Sequence, residues 1–378
     1  LRKLRDIGNT LVVVEHDEEI IRAADVLIDM GPYAGVAGGR IVFQGKIGGN
    51  VPEKIMDNSL PLQYLTGRRS RYVRVKQPLT SSIHLEGAQE HNLKNIDVKF
   101  PLGVLTVVSG VSGSGKSSLV GDILYPALYR KINQTGDLPG IFRKISGNID
   151  RIGAVEYVDQ NPIGKSSRSN AVTYLKVYDD IRKLLAAQQY AKINGYTPSF
   201  FSFNQDGGRC PECQGDGFVR IPMQFMADIT IPCEECHGQR FKQEVLDIKY
   251  RGKSIYDVLE MTVREAVDFF GEGKGAAEQR IVKRLQPLLD VGLGYVKMGQ
   301  PSSTLSGGEN QRVKLATELA KKDTGRTLFI LDEPTTGLHF EDIRLLLDVL
   351  NRLADKGNTV AVIQQNLTVT KDADRPLD

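Results

Sequence analysis

Between residues 104 and 120 the chain reads VLTVVSGVSGSGKSSLV. A predicted strand over 104–108 runs into a Gly/Ser loop and then a helix, and few architectures accept that sequence. The G-x-x-x-x-G-K-[ST] spacing from Gly110 to Ser117 belongs at the edge of an open, largely parallel α/β sheet. Its chemistry is phosphate binding. Gly110, Ser112, Gly113 and Gly115 are small enough for backbone N–H groups to converge on phosphate oxygens. The following helix adds partial positive charge at its N-terminus. Lys116 is positioned to reach the β- and γ-phosphates of ATP, Ser117 to ligate Mg²⁺, and Ser118 to complete the cradle.

A phosphate loop alone implies only that a nucleoside triphosphate is bound. Its partner here is TLFILDEPTTGL at 327–338. Residues 328–331 read as a buried strand that ends in Asp332 and Glu333. Carboxylates at strand ends sit on the rim of an open sheet, where ligands bind. Asp332 is expected to hold Mg²⁺ through water, and Glu333 to polarise the attacking water as general base.

The chain also contains one element written twice. GNTLVVVEHDEEI at 8–20 and GNTVAVIQQNLTV at 357–369 align at an offset of 349, and residues 1–29 match 350–378 at ten positions without a gap. The expectation is the tail of one unit followed by most of a second, both cut from a longer protein. Glu15-His16 in the first copy corresponds to Gln364-Gln365 in the second. The 10–14 stretch is predicted to be a buried strand, and 40–44 a second strand. From 301 onward helix and strand alternate, which predicts a parallel sheet.

No run of uncharged apolar residues reaches a membrane-spanning length. The net charge is only +3, so contact with nucleic acid has to rest on local patches. Two are present. The segment 68–76 holds Arg68, Arg69, Arg71, Arg74 and Lys76 with no acid. The segment 161–185 holds Lys165, Arg168, Lys176, Arg182 and Lys183 among Tyr174 and Tyr178. A solvated linker or helix face is the alternative for either.

Leu305-Ser306-Gly307-Gly308-Glu309 precedes a helical pattern. Together with the phosphate loop and ILDEP, it resembles the signature set of ATP-binding cassette ATPases. In that family Ser306, Gly307 and Gly308 would cap the γ-phosphate held by a facing cassette. Gln160, in EYVDQNP, matches the glutamine that senses metal and attacking water. His16 and Gln365 occupy the switch position that contacts the γ-phosphate.

Residues 118–304, 187 in all, separate the phosphate loop from the signature, so a large insertion is present. It carries Cys210, Cys213, Cys233 and Cys236, two C-x₂-C pairs separated by 19 residues. That spacing fits a tetrahedral Zn²⁺ site. Two disulfides are the alternative, disfavoured beside a cytosolic ATPase core. Phe200, Phe201 and Phe203 are expected to pack beneath the cysteines rather than to stack on bases.

The combination resembles the UvrA family of bacterial nucleotide excision repair. The runs that carry it are EHNLKNIDVKFPLGVLTVVSGVSGSGKSSL, VDQNPIGKSSRSN, the cysteine module, YRGKSIYDVLEMTVREA, LSGGENQRVKLA and LDEPTTGLHFEDI. The resemblance implies an ATP-binding cassette fold, a P-loop NTPase of the α/β class. It would carry a large inserted helical signature subdomain and a Cys₄ zinc module. Residues 1–50 would end a first cassette and 51–80 form a basic linker. Residues 81–130 would carry the phosphate-loop part of a second cassette. The insertion would occupy 131–300, with the zinc module near 205–245, and 301–378 the signature, the strand-end carboxylates and the switch strand. It further implies ATP hydrolysis, a homodimer, binding of double-stranded DNA with lesions, loading of a UvrB partner and a cytoplasmic location. Lys165, Arg168 and Arg182 would face the DNA. Two other readings stay open: a DNA-binding module that binds ATP without turning it over, and a UvrA-like ATPase of resistance or export.

Overall fold

The computed structural model describes residues 1–15, 18–32, 38–47, 51–69, 81–164, 166, 168–223, 228–321, 324–336, 338, 340–364 and 375–377. At its centre is a five-stranded sheet in the order Arg375–Leu377, Leu105–Val108, Thr359–Ile363, Thr327–Asp332, Ala154–Val158, every adjacent pair parallel. The three inner strands are almost wholly apolar because both faces are covered. Leu105, Val107, Phe329, Leu331, Val360 and Val362 face one core. Val108, Leu328, Ile330, Ala361 and Ile363 face the other. Successive residues thus alternate between two cores, as the period of a strand requires.

The register pairs Leu331 with Val158, Asp332 with Ile363, and Ile363 with Val108. The strands therefore end together. The loops that leave them, beginning at Ser109, Asp159, Glu333 and Gln364, lie on one edge of the sheet.

The second core is closed by the helical stretch after the phosphate loop and by an antiparallel sheet. That sheet has Ser82–Ala88 in the middle, flanked by Ile96–Pro101 and Lys144–Gly147. The helical stretch begins as a wide π-type turn over Ser118–Leu124 and continues as an α-helix over Tyr125–Asn133.

The first core runs without a break from the sheet into the insertion. Its helices include Val177–Ala186, Val263–Gly271 and Ala276–Asp290. Two of the insertion's helices start from reciprocal caps: Ser254 with Asp257, and Thr262 with Glu265. Phe201, Phe203 and Phe241 are fully buried, in agreement with the packing role expected for the first two. Phe200 stacks on Tyr196 with ring centroids 4.2 Å apart.

In the N-terminal part, Leu27–Gly31 pairs antiparallel with Arg40–Gly45, close to the strand expected at 40–44. The 10–14 stretch departs from expectation. It is not a strand, and Val12 and Val14 are 88% and 89% exposed. No described strand lies beside it to bond its backbone, and an apolar β pattern without a partner forms no ladder. The helix Leu60–Leu65, capped by Ser59, docks on the helix Phe340–Asp355. Tyr64 Oη donates to Glu341 Oε2 at 2.9 Å, and Arg69 and Arg344 approach Glu341 Oε1 at 3.2 and 2.7 Å. No described helix is long and apolar enough to cross a membrane.

Asn310, 1% exposed, stitches this fold together near the signature. Its Nδ2 donates to the carbonyls of Ser302, Leu305 and Ser306 at 3.1–3.2 Å, and its Oδ1 accepts from Ile163 N at 3.2 Å. Asn310→Ala leaves these groups buried and unmatched. The expected loss is about 2 kcal/mol, read as a lower urea midpoint with an unchanged denaturant slope.

Candidate functional site

The phosphate loop owes its shape to glycine. Gly110, Gly113 and Gly115 have φ of 140°, 77° and 101°, a region that L side chains rarely adopt. At Gly115 a Cβ would also lie 2.8 Å from Leu93 Cδ2 and 2.9 Å from Asn92 Oδ1. Asn92 Nδ2 in turn donates to Gly113 O at 2.9 Å, so the 89–95 loop braces the cradle. Lys116 is buried, and its Nζ donates to Gly110 O and Val111 O at 2.8 and 2.9 Å. The loop residues Gly110–Ser114 are exposed.

Asp332 is the last residue of its strand. Its Oδ2 accepts a hydrogen bond from Tyr157 Oη at 3.1 Å. Burial raises the Asp332 pKa above the usual carboxylate value. The Tyr157 bond and Lys116 oppose that rise, while Glu333 and Asp159 add to it. Burial, then Asp332 itself, raises Tyr157 well above the ordinary phenol value, so it acts as a neutral donor.

Glu333 has φ +44°, uncommon without glycine. The conformation is held at both ends. Its N–H donates to Ile363 O at 2.9 Å, and its carbonyl accepts from Gln160 Nε2 at 3.0 Å. Gln160 also lies against the signature: a Cβ on Gly307 would come 3.1 Å from Gln160 Oε1. The helix Gly307–Ala320 begins there, capped by a reciprocal Ser306–Glu309 pair.

Gln311 was not singled out in the sequence. It is 2% exposed, and its Nε2 donates to Val158 O at 2.8 Å and Asp332 O at 2.9 Å. These bonds tie the signature helix to two strand ends at once. The detectable signal was an amide on the inner face of the helix that follows LSGG. Tyr157 was missed as well, because a tyrosine in a strand reads as packing.

The structure therefore brings Gln160, Asp332 and Glu333 together at the strand ends, with Gly307 of the signature against Gln160. His16 and Gln365 lie outside the described residues. Gln364, which precedes Gln365, is buried, its N–H donates to Val108 O at 3.1 Å, and its side-chain amide donates to Thr335 Oγ1.

The four cysteines are free of disulfides and buried. Their sulfurs all lie within 4.8 Å of one another. The chain turns around them at Gly215, Gly217 and Gly238, with φ of 88°, 82° and 84°. A Cβ on Gly215 would meet Phe203 O at 2.2 Å. Gly217 N donates to Cys213 Sγ at 3.2 Å. Burial and the neighbouring thiols push Cys236 up to about 12, and a bound cation would favour its thiolate. Four buried thiols at one point, with no disulfide, fit a tetrahedral metal centre. Between the two cysteine pairs rises a hairpin, Phe218–Ile221 with Ile229–Pro232.

The basic residues expected at DNA are less available than their type suggests. Arg168 Nε donates to Asp216 Oδ1 at 3.1 Å, in a half-buried pair. Arg182 is mostly buried, bonds to Asp179, and stacks over Tyr178 at 5.4 Å. Tyr178 is itself buried and donates to Phe201 O at 2.6 Å. Lys165, Arg71, Arg74 and Lys76 lie outside the described residues. Arg68 reaches Glu53 and Asp57 at 3.6 and 3.8 Å.

Comparison with known proteins adds to this geometry. Residues 229–336 match the family model described as ABC transporter, a span that includes the signature helix and the strand ending at Asp332. The chain is 52% identical over its whole length to UvrABC system protein A of Clostridium perfringens, covering 40% of that protein. It is 51% identical, again over its whole length, to UvrABC system protein A of Streptomyces coelicolor, covering 37% of it. A crystal structure of UvrA2 from Deinococcus radiodurans superposes with a TM-score of 0.89 at 44% identity, covering 99% of this chain and 44% of that one. The chain thus spans about two fifths of the length of the curated relatives it matches, and its fold is that of an ATP-binding cassette. We predict one equivalent of zinc per chain by elemental analysis, lost or sharply reduced in Cys213→Ser. A full complement in that variant would remove the cysteines from metal binding.

Proposed function

Because this chain belongs to the UvrA family of ATP-binding cassette proteins, we propose that it is the nucleotide- and DNA-binding portion of a DNA-damage-recognition ATPase. The observation that carries the reading is the bonded group at the C-terminal edge of the parallel sheet. There Gln160, Asp332, Glu333 and the start of the signature helix are joined through Gln160 Nε2 and Gln311 Nε2, beside a glycine-shaped phosphate loop.

In this reading the backbone of Gly110–Ser118 surrounds the phosphates of ATP, and Lys116 leaves Gly110 O and Val111 O for the β- and γ-phosphate oxygens. The Ser117 hydroxyl and Asp332 hold Mg²⁺, whose charge offsets that of the phosphates. Glu333, fixed in its left-handed backbone, orients and deprotonates the attacking water. Ser306 and the Gly307–Gly308 helix N-terminus offer N–H donors to the γ-phosphate of a facing cassette. The four cysteines hold zinc and keep the insertion in shape. Lys165 and the basic linker, with Arg168 once it leaves Asp216, contribute phosphate contacts without base preference, which suits a sensor of deformability in damaged double-stranded DNA. Homodimerisation and UvrB loading complete the proposed role. A second reading, in which ATP binds without turnover, draws on Gln365 at the position matching His16. Glutamine there has no proton to titrate near neutrality.

Two experiments separate these readings. Glu333→Gln is expected to retain ATP binding and lower single-turnover hydrolysis by about 100-fold. If the unaltered chain is already as slow as this variant, the second reading stands. Binding to damaged and undamaged duplexes, with and without ATP, tests the DNA role. Lys165→Ala is expected to weaken binding to every sequence alike and to lower the salt slope by about one. An unchanged slope would take Lys165 off the phosphates.

A further inference from the structure

We infer that Tyr157 is a positioning residue for the Asp332 carboxylate, fixing one of its oxygens so that the other is presented to Mg²⁺ beside the phosphate loop. The inference rests on the nucleotide-binding reading above and adds a residue that none of the phosphate-loop, strand-end or signature motifs contains.

Four contacts place Tyr157 in this role. Its Oη is 3.1 Å from Asp332 Oδ2. Its strand, Ala154–Val158, is paired to the Asp332 strand with Tyr157 opposite Ile330. Its hydroxyl also lies over Gly121, on the first turn after the phosphate loop: a Cβ there would stand 3.2 Å from Tyr157 Oη. Four residues along that stretch, Tyr125 holds the Tyr157 ring, with centroids 5.1 Å apart at 47°. The phenol is thus held between the helix that carries Lys116 and Ser117 and the strand that carries Asp332.

An aspartate at the end of a strand can rotate its carboxyl group freely. Glu333 and Asp159 act on Asp332 as like charges, and Lys116 as an opposite one, so electrostatics alone does not choose a single orientation. A neutral O–H donor on Oδ2 does. It occupies one oxygen, leaves Oδ1 for the metal or its water, and fixes the plane of the group before nucleotide arrives. Preorganising a ligand in this way strengthens binding without adding a contact to the ion. The π-type winding over Ser118–Leu124, a form concentrated at functional sites, and the glycine at 121 together make room for the ring.

The test is the Mg²⁺ dependence of nucleotide binding by the 378-residue chain, measured with a non-hydrolysable ATP analogue. Tyr157→Phe removes one hydroxyl and keeps the ring on Tyr125. It should raise the Mg²⁺ concentration for half-saturation about tenfold, while affinity for the analogue in EDTA changes less than twofold. Gly121→Val, which leaves Tyr157 in place but fills the space beneath its hydroxyl, should move the Mg²⁺ midpoint in the same direction. Equal losses with and without Mg²⁺ would mark Tyr157 as packing only and overturn the inference. So would coincident Mg²⁺ midpoints in Tyr157→Phe and the unaltered chain. If the unaltered chain binds no nucleotide under either condition, the nucleotide-binding reading falls together with this one.

Discussion

One buried amide holds the centre of this molecule. Adjacent parallel strands leave their last carbonyls pointing past the end of the ladder, and a buried carbonyl without a donor is costly. Val158 O and Asp332 O are such groups, and the Nε2 of Gln311 reaches both. Because Gln311 sits one turn into the helix Gly307–Ala320, those two bonds also set where the signature stands relative to the strand ends. Gln160 and Glu333 follow directly from those strands. Moving the helix would leave both carbonyls without this donor, so the strand-end carboxylates and the signature move as one body.

Much of this was legible in residue order, and for identifiable reasons. The phosphate loop declared itself because a tight turn around phosphate tolerates only small residues at fixed positions. The clustering of the four cysteines was foreshadowed by their two C-x₂-C pairs. The alternating two-sided burial of the sheet was visible as short unbroken apolar runs. What escaped notice depends on partners far away in sequence. The apolar stretch at 10–14 reads like its twin at 359–363, yet only the twin has strands on both sides. An apolar run becomes a strand only where neighbours complete its hydrogen bonds. Tyr157, Asn310 and Gln311 act through contacts to residues 175, 147 and 153 positions away, and no local pattern reports such pairings.

The basic residues teach a related lesson. Arg182 reads as a solvent-facing cation on an amphipathic helix, but in the fold it covers Tyr178 and pairs with Asp179. Arg168 is paired with Asp216 beside the cysteine module. Long cationic side chains are often used to cover aromatic surface. A count of positive charges therefore overstates how many can neutralise phosphates. The contact of Arg168 with Asp216 also ties the segment after Gln160 to the cysteine turn, so a shift at one would be felt at the other.

The docking of Tyr64 and Arg69 on Glu341 has a consequence for how the two ends of the chain communicate. Glu341 opens the helix that follows the Glu333 loop, while Tyr64 and Arg69 close the N-terminal part. Residues 69 and 81 are 12 positions apart, so only a short stretch of sequence joins the two parts. A tether of that length keeps its ends at an effective concentration on the order of millimolar. Contacts far too weak to survive between separate molecules then persist, and the clasp can open and reclose many times without the parts drifting away from each other. Such a joint behaves as a latch rather than a weld: its equilibrium, not its strength, is what a small displacement of Glu341 would alter.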